Sequence, residues 1–561
     1  MFLQYILLAA LTATVTLWQL AVATDPVWPN DKTDELERLL FEQEGFRTSE
    51  IAVFAKGCAV ALGQPGRIFA AEWLRNAYHD MATADVLAGT GGMDASILYE
   101  QDRDENEGDA FLETRAAVAD FQTRRSSMAD LFALALVFAV GACSDGDILV
   151  PLRGGRVDAT GPGPSGVPQP HEDIASHTAS FARQGFNATE MIALVACGHT
   201  IGGVHDKDFP TIVPVKNSSV ENSQFFDTTR SHFDNRVAIE FVDNTTNNAL
   251  AVGANTTTRS DQRIFTSDGG KMIGDMAASN DYFTSTCSRL LERMINTVPR
   301  GVVLSDVVEL YPVKPWFLNL GVSENRTMTL SGIVRIADAL LTKSSQVRLH
   351  FNPRSGKPCS ATSNPPCAVA TATTADSMKS TCVYTKCPAT FTYFQFKTSV
   401  PISQGVSSFI VEIMDEGGAA VTYDNGGNGF PWPDTLQPQL QLSHVDYPAH
   451  GEFNITLHLV VAVLNAEQFT SGIEAIFYEP TEPTDPQFEQ IAHFSPVTVP
   501  LAMSNKLEGT NYTFYNLTYT RTRLDHTHPF DVVAKGGDGV EVSNTFNDWL
   551  KFPGSPLAID I

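Results

Sequence analysis

The sequence predicts a mainly helical N-terminal half followed by an all-β C-terminal half, and its texture supports that division. Apolar residues recur at helical spacing up to about residue 305, whereas from Tyr311 onward they alternate with polar residues as in strands. A chain of 561 residues exceeds one ordinary core, which predicts two or three domains. We expect the helical domain over residues 24–308 and a β-sandwich-like region, of one or two modules, over residues 309–561.

The first 23 residues form an apolar run ending in an Ala-x-Ala sequence, which predicts a cleaved secretory signal. An uncleaved anchor is the alternative, because Lys and Arg are absent from the flank of this run. Eight Asn-x-Ser/Thr sequons and eight cysteines, four in each half, also fit a secreted, oxidised chain. The cysteines predict two disulfides per half, and each set of four leaves three connectivities open. The expected location is extracellular, with no membrane attachment after cleavage.

The formal net charge of −26 argues against a nucleic-acid partner, because affinity for phosphates depends on Lys and Arg. Such a surface keeps an extracellular protein soluble. The sharper interpretation is that it attracts cationic substrates or metal ions.

In the helical half, apolar spacing and capping residues predict the following helices: 33–42, 68–79, 114–124, 128–139, one from Asn187 to His199, 227–242 and 270–294. The stretch 128–139 is apolar nearly all round, as expected of a central buried helix. A loop rich in Pro and Gly is expected over 151–170.

In the β half, a hairpin is predicted over residues 317–335, and a turn of Ser-Glu-Asn-Arg lies at its centre. Further strands are predicted at 390–398, 408–414, 453–461, 512–520 and 531–534. The segment 353–381, which is rich in Pro, Ser and Thr, is expected to be a loop held by disulfides. Trp432 could contact a polysaccharide, but a core or turn role is the favoured interpretation.

Two short motifs carry the candidate chemistry. Arg75 and His79 are four residues apart, so on a helix both project from one face and can address one small molecule. His199 ends an apolar run, which suits a metal ligand, although a lone histidine there is more often a core residue. Asp94 and Ser96 have a spacing that suits a hard cation such as calcium.

Between residues 50 and 305, these motifs and their order resemble those of the heme peroxidases of plants, fungi and bacteria. The resemblance implies heme b as cofactor, held through His199, with Asp261 accepting the remaining proton of that imidazole. It also implies that His79 moves the protons of hydrogen peroxide, that Arg75 stabilises the leaving oxygen, and that Asn106 orients His79.

The resemblance further implies two calcium ions, a distal ion beside His79 and a proximal ion beside His199. Their expected ligands are Asp80, Gly92, Asp94 and Ser96 for the distal ion, and Thr200, Asp227, Thr229 and Asp234 for the proximal ion. The proximal spacing is one residue shorter than in plant enzymes, which makes Thr229 the weakest member. Tyr78 departs from the family pattern, which usually has Phe or Trp beside the distal histidine.

The implied activity is that of a secreted peroxidase that reduces hydrogen peroxide and oxidises small phenolic or dye-type reductants in one-electron steps. A manganese-oxidising enzyme is one alternative, but of the three acids that fungal relatives use only Glu72 is present, with Ile68 and His205 at the other positions. Asp208 stands where ascorbate-using relatives have an arginine. The other alternative is a non-enzymatic wall or matrix binding protein with a vestigial peroxidase fold.

Overall fold

A computed structural model describes most of the chain between residues 26 and 555. The described residues are 26–555 without 47, 59–66, 216–221, 357–366, 385, 387–388, 448–453, 482–492, 522–528 and 538. The predicted signal sequence, residues 1–23, lies outside the described residues. Among the described residues, no helix combines the length and the apolar character that crossing a membrane requires.

Helices dominate the chain up to Ile295. They are α1 (Asp34–Phe41), α2 (Phe69–Met81), α3 (Ala110–Val118), α4 (Met128–Cys143), α5 (Ile174–Arg183), α6 (Ala188–Gly198), α7 (Arg236–Val242), α8 (Ala249–Val252), α9 (Ser260–Phe265), α10 (Lys271–Ala278) and α11 (Asn280–Ile295). All 16 residues of α4 are buried, which confirms the prediction of a central helix. The helical core gathers around it, because α2, α6 and α11 contribute their apolar faces to the same cluster.

Three helices differ from the bounds predicted from the sequence. The helix expected over 114–124 begins at Ala110 and gives way to a short 3-10 turn after Val118. In the stretch 227–242 only Arg236–Val242 is helical, because the side chains of Asp227 and Asp234 accept backbone N–H groups and favour turns. The stretch 270–294 is divided into two helices at Ser279.

Strands dominate the chain from Val313. The strands of the whole chain are β1 (Glu44–Gly45), β2 (Gly203–His205), β3 (Ser223–Phe225), β4 (Val313–Val322), β5 (Thr327–Ala337), β6 (Gln346–Asn352), β7 (Ala368–Ala372), β8 (Lys379–Thr381), β9 (Thr390–Pro401), β10 (Ser408–Met414), β11 (Ala420–Tyr423), β12 (Phe430–Pro431), β13 (Leu436–Pro438), β14 (His444–Asp446), β15 (Ile455–Leu464), β16 (Gly472–Thr481), β17 (His493–Pro500), β18 (Ala502–Lys506), β19 (Tyr512–Arg521), β20 (Pro529–Lys535) and β21 (Glu541–Asp548). The predicted fold class, helical first and all-β second, is therefore confirmed.

The sheets of the β half form two layered pairs, each around its own core. The sheets β1-β8-β9-β5-β4 and β11-β10-β6-β7 enclose one cluster of buried side chains. The sheets β13-β15-β19-β18 and β17-β16-β20-β21 enclose another. Trp432 is only 4% exposed and packs against aromatic rings of the first core, which confirms the favoured core role for this residue rather than contact with a polysaccharide. The segment 353–381 also contains β7 and β8 rather than loop alone.

The N-terminal segment joins the two halves. Leu36 and Leu39 of α1 belong to the helical core, whereas β1 adds an antiparallel strand to β8 of the first β sheet. Between these contacts, Glu37 and Glu42 bind the guanidinium of Arg335 on β5, with both N–O distances at 2.5 Å and all three side chains fully buried. Lys314 binds the other oxygen of Glu37 at 2.9 Å.

The carboxylates of this buried group are paired with cations, and Lys314 also binds Asp34 at 2.7 Å. Burial by itself would raise the pKa of Glu37, but Arg335 and Lys314 face the carboxylate and hold its pKa below the ordinary value. The Tyr393 hydroxyl on β9 donates to Glu42 at 2.6 Å. The strands β4, β5 and β9 of the first pair of sheets are thus joined to the N-terminal segment through ion pairs and a hydrogen bond.

Two disulfides lie in the helical half, Cys58–Cys143 and Cys197–Cys287. Their number is the one predicted for this half, and they select one of the three open connectivities. Cys367 and Cys382 of the β half are disulfide-bonded as well. The other two cysteines of that half lie outside the described residues.

Candidate active site

A cavity of about 280 Å³ lies within the helical half, near the lower end of the range of about 300–1,000 Å³ for pockets that bind organic ligands. It is lined by Arg75 and His79 of α2 and by His199, which follows the last turn of α6. The capping box formed by Asn187 and Glu190 fixes the start of α6 and thereby its register. Two histidines separated by 120 residues therefore share one cavity.

His79 is held in one orientation by Asn106. Its Nδ1 lies 2.9 Å from Asn106 Oδ1, while the Asn106 amide donates to the Glu100 carbonyl at 3.1 Å. Because the amide nitrogen is engaged by Glu100, the amide oxygen faces the imidazole, Nδ1 carries the proton and Nε2 keeps its lone pair. Burial, and secondarily the charge of Arg75, lowers the pKa of His79 to about 3, so the imidazole is neutral near pH 7.

Arg75 provides a fixed positive charge beside His79. Its Nη2 donates to the Glu107 carbonyl at 2.7 Å, and its guanidinium lies 4.6 Å from the centre of the Phe111 ring. Burial lowers the pKa of Arg75 to about 10, partly offset by Asp208 and Glu72, so the side chain stays charged at neutral pH. Phe111 was not identified from the sequence.

His199 has a different environment. Its Nδ1 lies 2.9 Å from the carboxylate of Asp261, which is fully buried on α9. The same carboxylate oxygen accepts the amide of Asn248 at 2.6 Å, and the Phe226 ring stacks on the imidazole at 4.3 Å between centres. A carboxylate that accepts a hydrogen bond from Nδ1–H leaves Nε2 as the nitrogen able to ligate a metal.

Asn248 and Phe226 were also missed by sequence reasoning. Asn248 caps α8 by accepting the N–H of Leu250, and its position beside Asp261 depends on the packing of α8 against α9. No local spacing signals such a contact.

Tyr78 lies in the cavity wall next to His79. Its ring stacks on Phe181 with 5.9 Å between centres, and its hydroxyl is buried with no hydrogen-bond partner among the described residues. Burial raises the pKa of this hydroxyl, so it is neutral. The departure from the family pattern therefore adds a polar atom to the cavity wall.

Three of the four residues predicted for the distal calcium ion, Asp80, Asp94 and Ser96, come together at the end of α2. Gly92 is joined to them through the Thr83 hydroxyl, which accepts the Gly92 N–H and donates to the Asp80 carbonyl. Asp80 accepts the N–H groups of Asp94 and Ala95 at 3.0 and 2.9 Å, and Ser96 is fully buried. Gly92 has a φ of 111°, and a Cβ there would lie 2.6 Å from the Thr297 carbonyl, so only glycine fits. Burial, and the neighbouring charge of Asp94, raises the pKa of Asp80 well above its ordinary value.

The proximal residues also meet. The Thr229 hydroxyl lies 3.3 Å from Asp227 and 3.0 Å from Asp234, and the Thr200 hydroxyl donates to the Asp234 carbonyl at 2.5 Å. Asp227 Oδ2 is buried and has no hydrogen-bond partner in the described part of the chain. Burial and the charge of Asp234 raise the pKa of Asp227 to about 7. An oxygen-rich cluster with an unpaired buried carboxylate oxygen suits a calcium ion, and Thr229 is part of it despite the shortened spacing.

The three positions that bear on manganese line the cavity. Glu72 binds the Arg67 guanidinium at 2.5 Å, His205 Nδ1 lies 3.0 Å from the Ser223 hydroxyl, and Ile68 precedes α2. Asp109 also lies 3.1 Å from Arg67. The acid that could bind manganese is therefore already paired with a cation.

A helical fold with two histidines in one cavity, one beside an amide and the other beside a buried carboxylate, defines the class of the peroxidases. Residues 28–289 match the family model described as peroxidase. The helical half of the chain belongs to the peroxidase family.

Three similar proteins extend this comparison. A WSC domain-containing protein of Arthroderma benhamiae is 37% identical over 414 residues, which are 72% of this chain and 55% of that protein. A peroxisomal L-ascorbate peroxidase of Arabidopsis thaliana is 34% identical over 137 residues, 24% of this chain and 47% of the relative. A candidate heme-binding peroxidase of Yarrowia lipolytica is 30% identical over 139 residues, 24% of this chain and 46% of the relative. The chain thus spans about half the length of the curated relatives it matches.

Proposed function

We propose that this protein is a heme-dependent peroxidase that reduces hydrogen peroxide and oxidises small phenolic or dye-type reductants in one-electron steps. The observation that carries the proposal is the unequal pair of histidines in one cavity. His79 is neutral, with a free Nε2, whereas His199 is made electron-rich by Asp261. Peroxide cleavage at a heme iron uses one group that accepts and returns a proton, as His79 can, and an electron-rich nitrogen ligand on the iron, as His199 can provide.

The residues present fit a heme. His199 would bind the iron through Nε2, while Asp261 and Asn248 hold the ring through Nδ1. A bound heme would supply the redox-active iron at which the oxygen–oxygen bond is cleaved. Apolar side chains such as Leu194 and Ile264 line the cavity and would exclude water.

On the distal side, His79 acts as base and then as acid. Its Nε2 takes the proton from one oxygen of hydrogen peroxide and returns it to the other oxygen, which leaves as water. Arg75 remains cationic and donates to the departing oxygen, which stabilises the negative charge that develops there. Asn106 keeps Nδ1 protonated, so that Nε2 is the nitrogen that exchanges protons.

The reductant is inferred from the charges that line the cavity. Glu72 is paired with Arg67, but Glu105 and Asp208 also line the cavity, and Asp208 stands where ascorbate-using relatives have an arginine, which disfavours anions such as ascorbate. Manganous ion is the second candidate, but it would have to displace Arg67 from Glu72. Phenols and cationic dyes meet no such competitor.

Calcium binding at the two oxygen clusters is part of the proposal. Each cluster adjoins a cavity histidine, since Asp80 follows His79 and Thr200 follows His199. An ion at each site would neutralise acids whose pKa values burial now raises, and would fix the end of the helix that bears the histidine.

Removal of calcium from the heme-loaded protein is expected to shift the heme absorption spectrum and to lower the Tm. At a free calcium concentration of about 100 Kd, the stabilisation lost would be roughly 2.7 kcal/mol per site. Absorption and calorimetry before and after chelation would measure both effects. Asp227→Asn should reduce the response, whereas Asp275→Asn, at an exposed ion pair, should not. An unchanged spectrum after verified removal of the ions would contradict the coupling.

We further propose that the protein is secreted and glycosylated. The disulfides of the helical half fit an oxidising compartment. The predicted signal sequence would direct the chain into the secretory pathway, where the sequons can be glycosylated. Contact between the β half and a polysaccharide remains part of the proposal. Trp432 cannot provide this contact, because its ring is buried.

The enzymatic proposal is tested against the non-enzymatic alternative by heme reconstitution of the full chain. We expect a Soret absorption band that shifts when hydrogen peroxide is added. His199→Ala should alter the band and weaken heme retention, because the nitrogen ligand is removed. His205→Gln, which also lies in the cavity wall, should retain the band. A chain that binds no heme, or whose spectrum ignores peroxide, would favour a vestigial fold.

A further inference from the structure

Three potential metal ligands stand together on the second pair of β sheets, outside the peroxidase cavity. His444 on β14 lies directly opposite His458 on β15 in the antiparallel register. Asp446 is two residues beyond His444 on the same strand, so its side chain emerges on the same face. Val445, between them, points to the other face and is buried in the core.

The three side chains converge. The imidazole rings of His444 and His458 are stacked, with 4.3 Å between their centres and 13° between their planes. Asp446 Oδ2 lies 3.0 Å from His458 Nε2, and Asp446 Oδ1 lies 3.9 Å from His444 Nε2. One nitrogen of each imidazole and one carboxylate oxygen all lie within 4.8 Å of one another.

A fourth residue contacts the other nitrogen of the His458 ring and orients it. The Thr518 hydroxyl on β19 lies 3.2 Å from His458 Nδ1. When Nδ1 donates to this hydroxyl, His458 Nε2 presents its lone pair toward Asp446, and two acceptors face each other. A cation between them resolves that arrangement, and outer partners of this type are a regular feature of metal-bound imidazoles.

We propose that His444, Asp446 and His458 bind a divalent transition metal of the Zn²⁺ or Cu²⁺ type. Imidazole nitrogens suit these ions rather than calcium, which takes oxygen ligands. Tetrahedral ligands at bonds of about 2.0–2.1 Å are roughly 3.4 Å apart, so Asp446 and His458, now 3.0 Å apart, must separate slightly, and His444 must move closer to Asp446. The side chains of His444 and Asp446 are 53% and 67% exposed, and can rotate to do so. Water would complete the coordination.

The alternative without a metal is a stacked histidine pair held by hydrogen bonds alone. In that arrangement Thr518 donates to His458 Nδ1, and His458 Nε2 donates to Asp446. His444 then contributes only its stacked ring, because its separation of 3.9 Å from Asp446 exceeds a hydrogen bond. The two arrangements differ in whether His444 matters for binding an ion.

Titration calorimetry of the full chain with Zn²⁺, in excess Ca²⁺ to occupy the oxygen clusters, tests the proposal. We expect binding of one Zn²⁺ that is weakened at least about tenfold by His444→Gln and by His458→Gln. His350→Gln is the matched control, because His350 faces a single carboxylate, Glu412 at 3.5 Å, on another sheet. Its titration should equal that of the parent.

Electron paramagnetic resonance with Cu²⁺ adds a readout of the ligand atoms. The parent should show coupling to two imidazole nitrogens, and each of the two histidine variants should lose one of them. Equal Zn²⁺ titrations in all four proteins, or a parent that binds no Zn²⁺, would overturn the proposal. An effect of His350→Gln as large as that of His444→Gln would overturn it too. Since heme binding is not measured, the result is independent of the proposed peroxidase activity.

Discussion

His79→Ala is expected to slow the reaction of the heme-loaded protein with hydrogen peroxide by at least about 10²-fold, the usual scale for a general acid-base group. The variant loses the Nε2 that accepts and returns the proton, while Arg75 and His199 remain in place. Stopped-flow absorption at increasing peroxide concentration would give the second-order rate constant directly. The rate of the later step with a phenol should change far less.

Tyr78→Phe is the matched control for this prediction. It removes only a buried hydroxyl that has no partner among the described residues, and it keeps the ring that stacks on Phe181. The peroxide rate of this variant should stay close to that of the parent. Unaltered kinetics in His79→Ala would refute the assigned role of the histidine.

Arg335→Met is expected to destabilise the protein by about 3–5 kcal/mol. The substitution removes the guanidinium that contacts both Glu37 and Glu42, and it leaves Glu37 with Lys314, whose ammonium is shared with Asp34 at 2.7 Å. Unfolding in urea, followed by tryptophan emission, would show the loss as a lower midpoint.

Two further variants separate the charge effect from packing. Replacing Glu37 and Glu42 by Gln together with Arg335→Met should recover part of the stability, because no unpaired carboxylate remains. Lys271→Met removes an exposed ion pair with Asp275 and should change the free energy of unfolding by less than about 1 kcal/mol. A midpoint in Arg335→Met equal to that of Lys271→Met would contradict the prediction.

The local parts of the structure could be predicted from the sequence. Helical spacing places Arg75 and His79 one turn apart, the Asn187 capping box marks the start of α6, and the alternation around residues 317–335 is the β4–β5 hairpin. Each of these features is determined by neighbours within a few residues.

Contacts between distant parts of the chain could not be predicted in this way. Asn248 acquires its role from the packing of α8 against α9, and β1 pairs with β8 across more than 300 residues. The acids Asp227 and Asp234 resemble helix starters, but they form turns because their carboxylates bond to nearby backbone groups. The burial of Trp432 likewise depends on a core assembled from several strands.

The position of α1 and β1 determines where this protein can be divided. A fragment ending at residue 308 would keep Glu37 and Glu42 but lose the guanidinium, the ammonium and the phenol that neutralise or bond to them. Its β1 edge would lack the neighbour that now satisfies the backbone of Gly45. Experiments that divide the protein should therefore keep both halves in one polypeptide. A fragment that folds poorly would reflect the lost contacts of α1 and β1 with the β half rather than a defect of the peroxidase cavity.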